Sequence, residues 1–473
     1  MQPAKQETAG LVRGLSAWDG VLLVIGGVIG SAIFLVPKDV AAAAPAPPLF
    51  LGLWVAGGVL ALMGALVFSE LGAMFPEAGG QYVYLREAFG DLAAFLYGWL
   101  MFVAGNTGGI ATIAVAFAVY LGKVAPPLQA GIAVVSLPGL GWRSGHLAQT
   151  SWALTRGDVV ALAAIVLLTL INARGLRPAV LLQNVTTWMK YAAMAAFIVL
   201  GFAVGKGSWS HFRMSGMQEA LAGGVSPFLS AMGVAFIAVM WAYEGWVYVA
   251  WVAGEMRRPE RTVPRALIAG VLSVTLIYCA INAAYLYALP TTSIATQEAI
   301  GQAAAQALFS PVVAFWLTAV IAISCFSATS SNILAGARIS YAMGHDGLFF
   351  QRMANVHPRY RTPAFALVAQ GVLACVFALS GTYDQLFTYT VFGMILSYAA
   401  TVGALFVLRR TRAEIPRPYR CWGYPWLPAL YVLLIAGWLA NTTFERPKEA
   451  VSCMLLSAIG LPGYFYWHRL KRR

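Results

Sequence analysis

Lys190 stands in the middle of an apolar run, LLQNVTTWMKYAAMAAFIVL. The run continues for about twelve residues to either side, so at ~1.5 Å rise per residue the ammonium lies about 18 Å from either end, too far to snorkel comfortably into water. It therefore needs carbonyls, hydroxyls or a carboxylate inside the protein. Two functional chemistries fit: a fixed cation standing where a coupling Na⁺ would sit, or a proton carrier. The plainer alternative is a structural ammonium bonded to the carbonyls of an interrupted helix.

Two segments carry the signs of such interruptions. The first reads VIGGVIGSAIF, with Gly26, Gly27, Gly30 and Ser31 at mid-depth; the second reads VMWAYEGWVYVAW, with Glu244 and Gly245 at matching depth. Glycines at this spacing also serve close helix packing. Two breaks in register, one beside a carboxylate, favour unwound backbone lining a cavity, the setting in which irregular backbone is tolerated at membrane depth. A third stretch, AISCFSATSSNILAGARISYAMGHDGL, holds Ser324, Ser327, Thr329, Ser330, Ser331 and Ser340. Back-bonding to the helix's own carbonyls accounts for most such hydroxyls; Ser327 and Ser330, at i and i+3, are the pair expected to face a pocket. Glu70 and Glu255 are expected as helix-end or gating groups, and GEMRRPERTVPRA as a basic turn whose prolines stop and restart helices.

The elements that position these groups are membrane spans. The chain has 473 residues, 60% hydrophobic and 10% charged, with mean hydropathy +0.73. Soluble domains average roughly 45–50% apolar and about 25% charged, so an ordinary cytosolic enzyme is excluded. About 20 apolar residues make a spanning helix, which gives roughly twelve spans: 16–44, 48–75, 92–122, 157–173, 178–204, 226–254, 265–289, 309–342, 363–380, 384–408, 426–442 and 449–467. The gap 123–156 is expected to be an ordered, non-spanning loop. Span six follows span one by five helices, an odd number, so the second unit enters the membrane in the opposite sense. That predicts an all-α polytopic membrane protein with a five-plus-five inverted repeat and broken helices meeting at the midplane. The units are a tail 1–15, repeat one 16–204, repeat two 226–408, two extra helices 426–467, and a basic tail 468–473.

The net charge of +13 invites a nucleic-acid reading, but its distribution explains it. With the N-terminus cytoplasmic, 22 of the 31 Lys and Arg fall inside and 8 outside, Lys190 being the last; such bias belongs to cytoplasmic loops. Both termini are expected inside, in a cytoplasmic membrane. The five cysteines and five histidines form no metal or catalytic spacing, so no cofactor, metal or enzyme site is expected. A channel would want charged rings or a repeated filter, and there is none.

The motifs IGGVIGSAIFLVPKDV, WAYEGWVYVAWVAGEMRRPERTVPRA and SCFSATSSNILAGARISYAMGHDGL, with the mid-helix Lys190, resemble the amino acid–polyamine–organocation superfamily, in particular its L-type amino acid transporter branch. The resemblance runs from about Ser16 to Arg412. It implies the leucine-transporter-type fold and secondary transport of L-amino acids by exchange or facilitated diffusion; the alternative is a proton-coupled amino acid or polyamine importer with Lys190 as carrier. By matching position it implies that the substrate backbone is held by Val28, Ile29, Gly30, Ser31 and Ala32 in span one and by Trp241, Ala242, Tyr243, Glu244 and Gly245 in span six. Amides around Gly30, Ser31 and Ala32 would take the carboxylate, and carbonyls of Val28, Trp241, Ala242 and Glu244 the ammonium. Lys190 with Gly26, Ser327 and Ser330 would form a cation-site mimic that makes transport Na⁺-independent. Light subunits of this branch bridge to a heavy chain through a cysteine in the outer loop after span three; the loop 123–156 has none, so no covalent heavy-chain partner is expected.

Overall fold

The computed structural model describes residues 10–143, 146–213, 216–217, 224–380, 383–445 and 447–472. Residues 1–9 of the expected N-terminal tail and Arg473 of the basic tail lie outside these. Among the described residues nine helices are long and apolar enough to cross a membrane, and three shorter apolar helices supply the rest of the twelve. Spans two to five run Pro47–Met74, Asp91–Val124, Arg156–Ala173 and Leu176–Val204; spans seven to twelve run Pro259–Ala288, Pro311–His345, Ala364–Ser380, Tyr383–Thr411, Trp426–Glu445 and Pro447–Lys471. Large apolar side chains such as Leu181, Val199, Leu276 and Leu433 stay exposed on the outer faces, as a lipid-facing surface requires.

Spans one and six are the broken ones. Span one forms Ala17–Val28, opens at residues 29–31, makes one tight turn over Ala32–Phe34 and resumes at Pro37–Ala43. Span six forms Val225–Ala242, opens, and resumes as the single turn Tyr248–Trp251. Local chemistry sets the starts: Ser16 and Asp19 close a reciprocal cap at span one, and Thr155 with Asp158 repeats it at span four. Proline occupies the first turn of spans two, seven, eight and twelve, where its missing N–H has no helical partner to lose.

The structure refines the sequence reading in one place and departs from it in two. The loop 123–156 holds an antiparallel hairpin, β1 Gly131–Arg143 and β2 His146–Thr155. An additional helix, Gln81–Phe89, lies between spans two and three; it is too short and polar to register as a span. Tyr82 donates to Asp346 at 2.9 Å, and Arg86 pairs with the same carboxylate at the end of span eight. Span seven begins at Pro259 rather than near 265 and runs through Pro264, so the prolines of the basic turn start one helix and do not interrupt it.

Two buried ion pairs tie the ends together. Arg338 of span eight donates from Nε and Nη2 to Glu255 at 2.8 and 3.0 Å, with both side chains buried. The chain just before span one straps this corner: Leu15 N–H donates to the Glu255 carbonyl at 2.9 Å and Arg257 N–H to the Leu15 carbonyl at 2.8 Å. Glu70 of span two accepts from Arg409 of span ten at 2.9 and 2.6 Å and from the Cys421 amide at 2.6 Å. Removing one partner of such a pair strands a buried charge, whereas removing both does not. Arg338→Leu is expected to destabilise the purified protein by about 3–5 kcal/mol and Arg338→Leu/Glu255→Leu by clearly less, as read by thermal unfolding in detergent; equal losses would show that a stranded Glu255 carboxylate carries no penalty.

Candidate functional site

The break in span one leaves carbonyls without helical donors, and span five supplies one. Lys190 is fully buried. Its Nζ donates to the Gly26 carbonyl at 2.7 Å and the Ile29 carbonyl at 2.5 Å. Among the described residues no carboxylate pairs with it. The Ile29 carbonyl accepts a second bond, from Ser324 of span eight at 2.9 Å. Gly26 permits this approach: a Cβ there would fall 1.7 Å from Gln183 Nε2 and 2.6 Å from Thr187 Oγ1 on span five. The ammonium thus joins spans one and five, and Ser324 adds span eight.

The two breaks then pack backbone against backbone. Gly245 has φ +111°, and a Cβ on it would lie 2.8 Å from the Gly27 carbonyl and 3.1 Å from the Val28 nitrogen. Only glycine serves both the angle and the contact. Tyr278 of span seven bridges the pair, its hydroxyl 3.0 Å from the Val28 carbonyl and 3.0 Å from the Ala242 carbonyl. The Val28 carbonyl also accepts from Gly30 N–H at 2.8 Å. In span one the Gly30 amide is therefore committed, while the next two, Ser31 and Ala32, donate to no backbone oxygen in the described residues. The Trp241 carbonyl takes the Glu244 amide at 3.1 Å.

A cavity of about 580 Å³ opens at this junction, lined by Val28, Gly30, Ser31, Ala32, Trp241 and Glu244 of the two breaks and by Met101, Asn106, Thr112, Asn332 and Met394 of spans three, eight and ten. Three of the lining side chains present buried oxygens without a hydrogen-bond partner: Asn106 Oδ1, Thr112 Oγ1 and Asn332 Oδ1. Buried polar atoms are nearly always partnered, so these three are acceptors left available on the cavity wall. Glu244 reaches away, its carboxylate accepting from the Tyr398 hydroxyl of span ten at 2.5 Å.

The sequence-derived residues divide accordingly. Ile29, Ala242, Tyr243 and Gly245 stand behind the cavity wall, with Tyr243 donating to the Trp54 carbonyl at 2.9 Å. Ser327 and Ser330 do not meet Lys190. Ser327 accepts from Thr186 at 2.8 Å, and the Ser330 hydroxyl has no partner; Ser324 is the span-eight hydroxyl that shares a carbonyl with the ammonium. Thr329, Ser331 and Ser340 back-bond within the helix. Tyr278, Asn106, Thr112 and Asn332 were not singled out from the sequence. An asparagine in an apolar span is costly enough to be a signal; a tyrosine is not.

The sequence profile of the amino acid permease family matches residues 15–458. The chain belongs to the amino acid permease family. The serine/threonine exchanger SteT of Bacillus subtilis is 31% identical over 472 residues, covering 99% of each chain. The human b(0,+)-type amino acid transporter 1 is 28% identical, covering 100% of this chain and 91% of its own, and the human cystine/glutamate transporter is 26% identical, covering 98% and 87%. These relatives put this permease in the L-type branch of the amino acid–polyamine–organocation superfamily, a polytopic membrane transporter of amino acids.

In this permease, replacing Lys190 by Ala leaves the Gly26 carbonyl with no side-chain donor in a dry interior, while Ile29 keeps Ser324. The expected cost is about 1–3 kcal/mol, read as a lower melting temperature in detergent together with loss of uptake. An alanine variant with wild-type melting and wild-type uptake would remove Lys190 from the machinery of the break.

Proposed function

We propose that this permease is a Na⁺-independent exchanger of small, hydroxyl-bearing L-amino acids. The substrate carboxylate binds the free amides of Ser31 and Ala32, where an interrupted helix offers N–H groups and the positive end of a dipole. The ammonium lies at the carbonyl ends of the two interrupted helices, beside Val28 and Trp241, which both line the cavity. The side chain meets Asn106, Thr112 and Asn332. The observation that carries the reading is the Lys190 ammonium seated on the Gly26 and Ile29 carbonyls. It occupies oxygens that a sodium ion would need, and two cations in one small, dry site repel strongly. Support for exchange comes from the family and from the Bacillus subtilis relative, a serine/threonine exchanger; a proton-coupled importer has no comparable support. In this reading residues 16–204 and 226–408 are the inverted repeats, both termini are cytoplasmic by the Lys and Arg bias, the membrane is the cytoplasmic one, and the chain performs no catalysis and works without a covalent heavy chain.

The direct test is uptake of labelled serine, threonine and alanine into proteoliposomes made with the purified chain alone. Uptake is expected to need internal amino acid, to be equal in Na⁺, K⁺ and choline media, and to require no second subunit. Strict Na⁺ dependence, or equal uptake with empty vesicles, overturns the proposal.

The side-chain assignment has its own test. Removing one of the orphaned acceptors, as in Asn332→Ala, is expected to narrow the preference for threonine over valine by about two- to tenfold, the worth of one hydrogen bond of roughly 0.5–1.5 kcal/mol. Inhibition constants of unlabelled amino acids against labelled serine measure this; an unchanged threonine-to-valine ratio takes Asn332 out of side-chain recognition.

A further inference from the structure

Away from the permeation site, a groove of about 970 Å³ opens at the membrane boundary between the first turns of span seven and the segment joining spans ten and eleven. Arg261 and Arg265 line it, with Glu260, Ile268, Leu272 and Tyr419. Both arginines are exposed, and among the described residues neither has a carboxylate partner. Arg338 and Arg409, by contrast, are committed to buried carboxylates. Arg261, Arg265, Ile268, Leu272 and Leu276 follow one another at helical spacing, so they form one stripe along span seven. The stripe changes character within about 16 Å, the rise from Arg265 to Leu276 at ~1.5 Å per residue, from two guanidinium groups to exposed apolar side chains. Leu272 and Leu276 are 49% and 70% exposed.

Two further observations fix the setting. The opposite wall is held in place, because the Cys421 amide bonds Glu70 at 2.6 Å and Arg417 lies 3.4 Å from the same carboxylate. Beyond that anchor, Trp422 and Trp426 are 76% and 82% exposed. Exposed tryptophans of a membrane protein collect at headgroup depth, which places the arginines level with phosphates and Leu276 level with acyl chains.

We propose that this groove binds one anionic phospholipid, its phosphodiester between Arg261 and Arg265 and one acyl chain along Ile268, Leu272 and Leu276. Guanidinium groups hold phosphate oxygens in a bidentate fork. Glu260 offsets one of the two positive charges and leaves a net single charge at the mouth, which one phosphodiester with an uncharged headgroup matches.

Native mass spectrometry of the purified permease tests this, with phosphatidylglycerol, phosphatidylethanolamine and phosphatidylcholine offered in equal amounts and inorganic phosphate as competitor. The expected result is preferential retention of one phosphatidylglycerol. Arg261→Gln/Arg265→Gln should weaken retention about thirtyfold, each arginine near the surface being worth about fivefold. Arg352→Gln, an exposed arginine elsewhere on the chain, should leave it unchanged. Leu272→Asn, which keeps both arginines, should weaken retention of long-chain but not of short-chain phosphatidylglycerol. Equal retention by the double variant, equal retention of the three lipids, or displacement by inorganic phosphate at matched concentration would each overturn the proposal, the last by reassigning the groove to a free anion.

Discussion

Every helix that stops in the middle of a membrane leaves backbone donors and acceptors that water cannot reach, and this protein is organised around that deficit. Spans one and six both stop at mid-depth. The carbonyls they expose are met by the Lys190 ammonium from span five, Tyr278 from span seven and Ser324 from span eight. Each donor belongs to a continuous helix, so the interrupted pair is suspended from three intact ones. The donors cover the carbonyls more fully than the amides, and among the described residues the amides of Ser31 and Ala32 are left without a backbone acceptor. Function on this view occupies the part of the deficit that the protein leaves unfilled.

The same logic explains the glycines. Gly26 and Gly245 each sit where a methyl group would collide with a neighbouring element, Gly26 against span five and Gly245 against the Gly27 backbone. Replacing either would force apart the surfaces that allow the donors to reach. The charged anchors work further out: Glu255 with Arg338, and Glu70 with Arg409, fix the ends of spans two, six, eight and ten, leaving the middle of the bundle to backbone and hydroxyl hydrogen bonds, the Glu244 carboxyl and one ammonium.

How far these features were legible in the sequence depended on how unusual each residue is for its surroundings. Lys190, the Gly26–Gly30 cluster and Glu244 announce themselves because apolar spans rarely hold them, and they located both breaks. Tyr278 gives no such warning, since a tyrosine is at home in an apolar span and its hydroxyl matters only once spans one and six converge on it. Span eight misled for a different reason. From Ser324 to Ser340 it is buried almost all round, so no polar face exists to mark which hydroxyl looks toward span one, and the helical spacing that singled out Ser327 and Ser330 could not distinguish them from Ser324. The hairpin Gly131–Thr155 and the helix Gln81–Phe89 were too short or too polar to stand out against twelve apolar runs.

Lys190 meets two carbonyl dipoles and, among the described residues, no carboxylate, and that absence reaches beyond the local geometry. Its charge is bound to the protein and crosses no boundary when cargo does. A zwitterion entering against a zwitterion leaving then moves no net charge, so membrane voltage exerts no pull on the cycle. For the Na⁺-independent exchange proposed above, the direction of flow would follow the ratio of amino acid pools on the two sides, and a cell running such a carrier would trade one nutrient for another without drawing on its ion gradients.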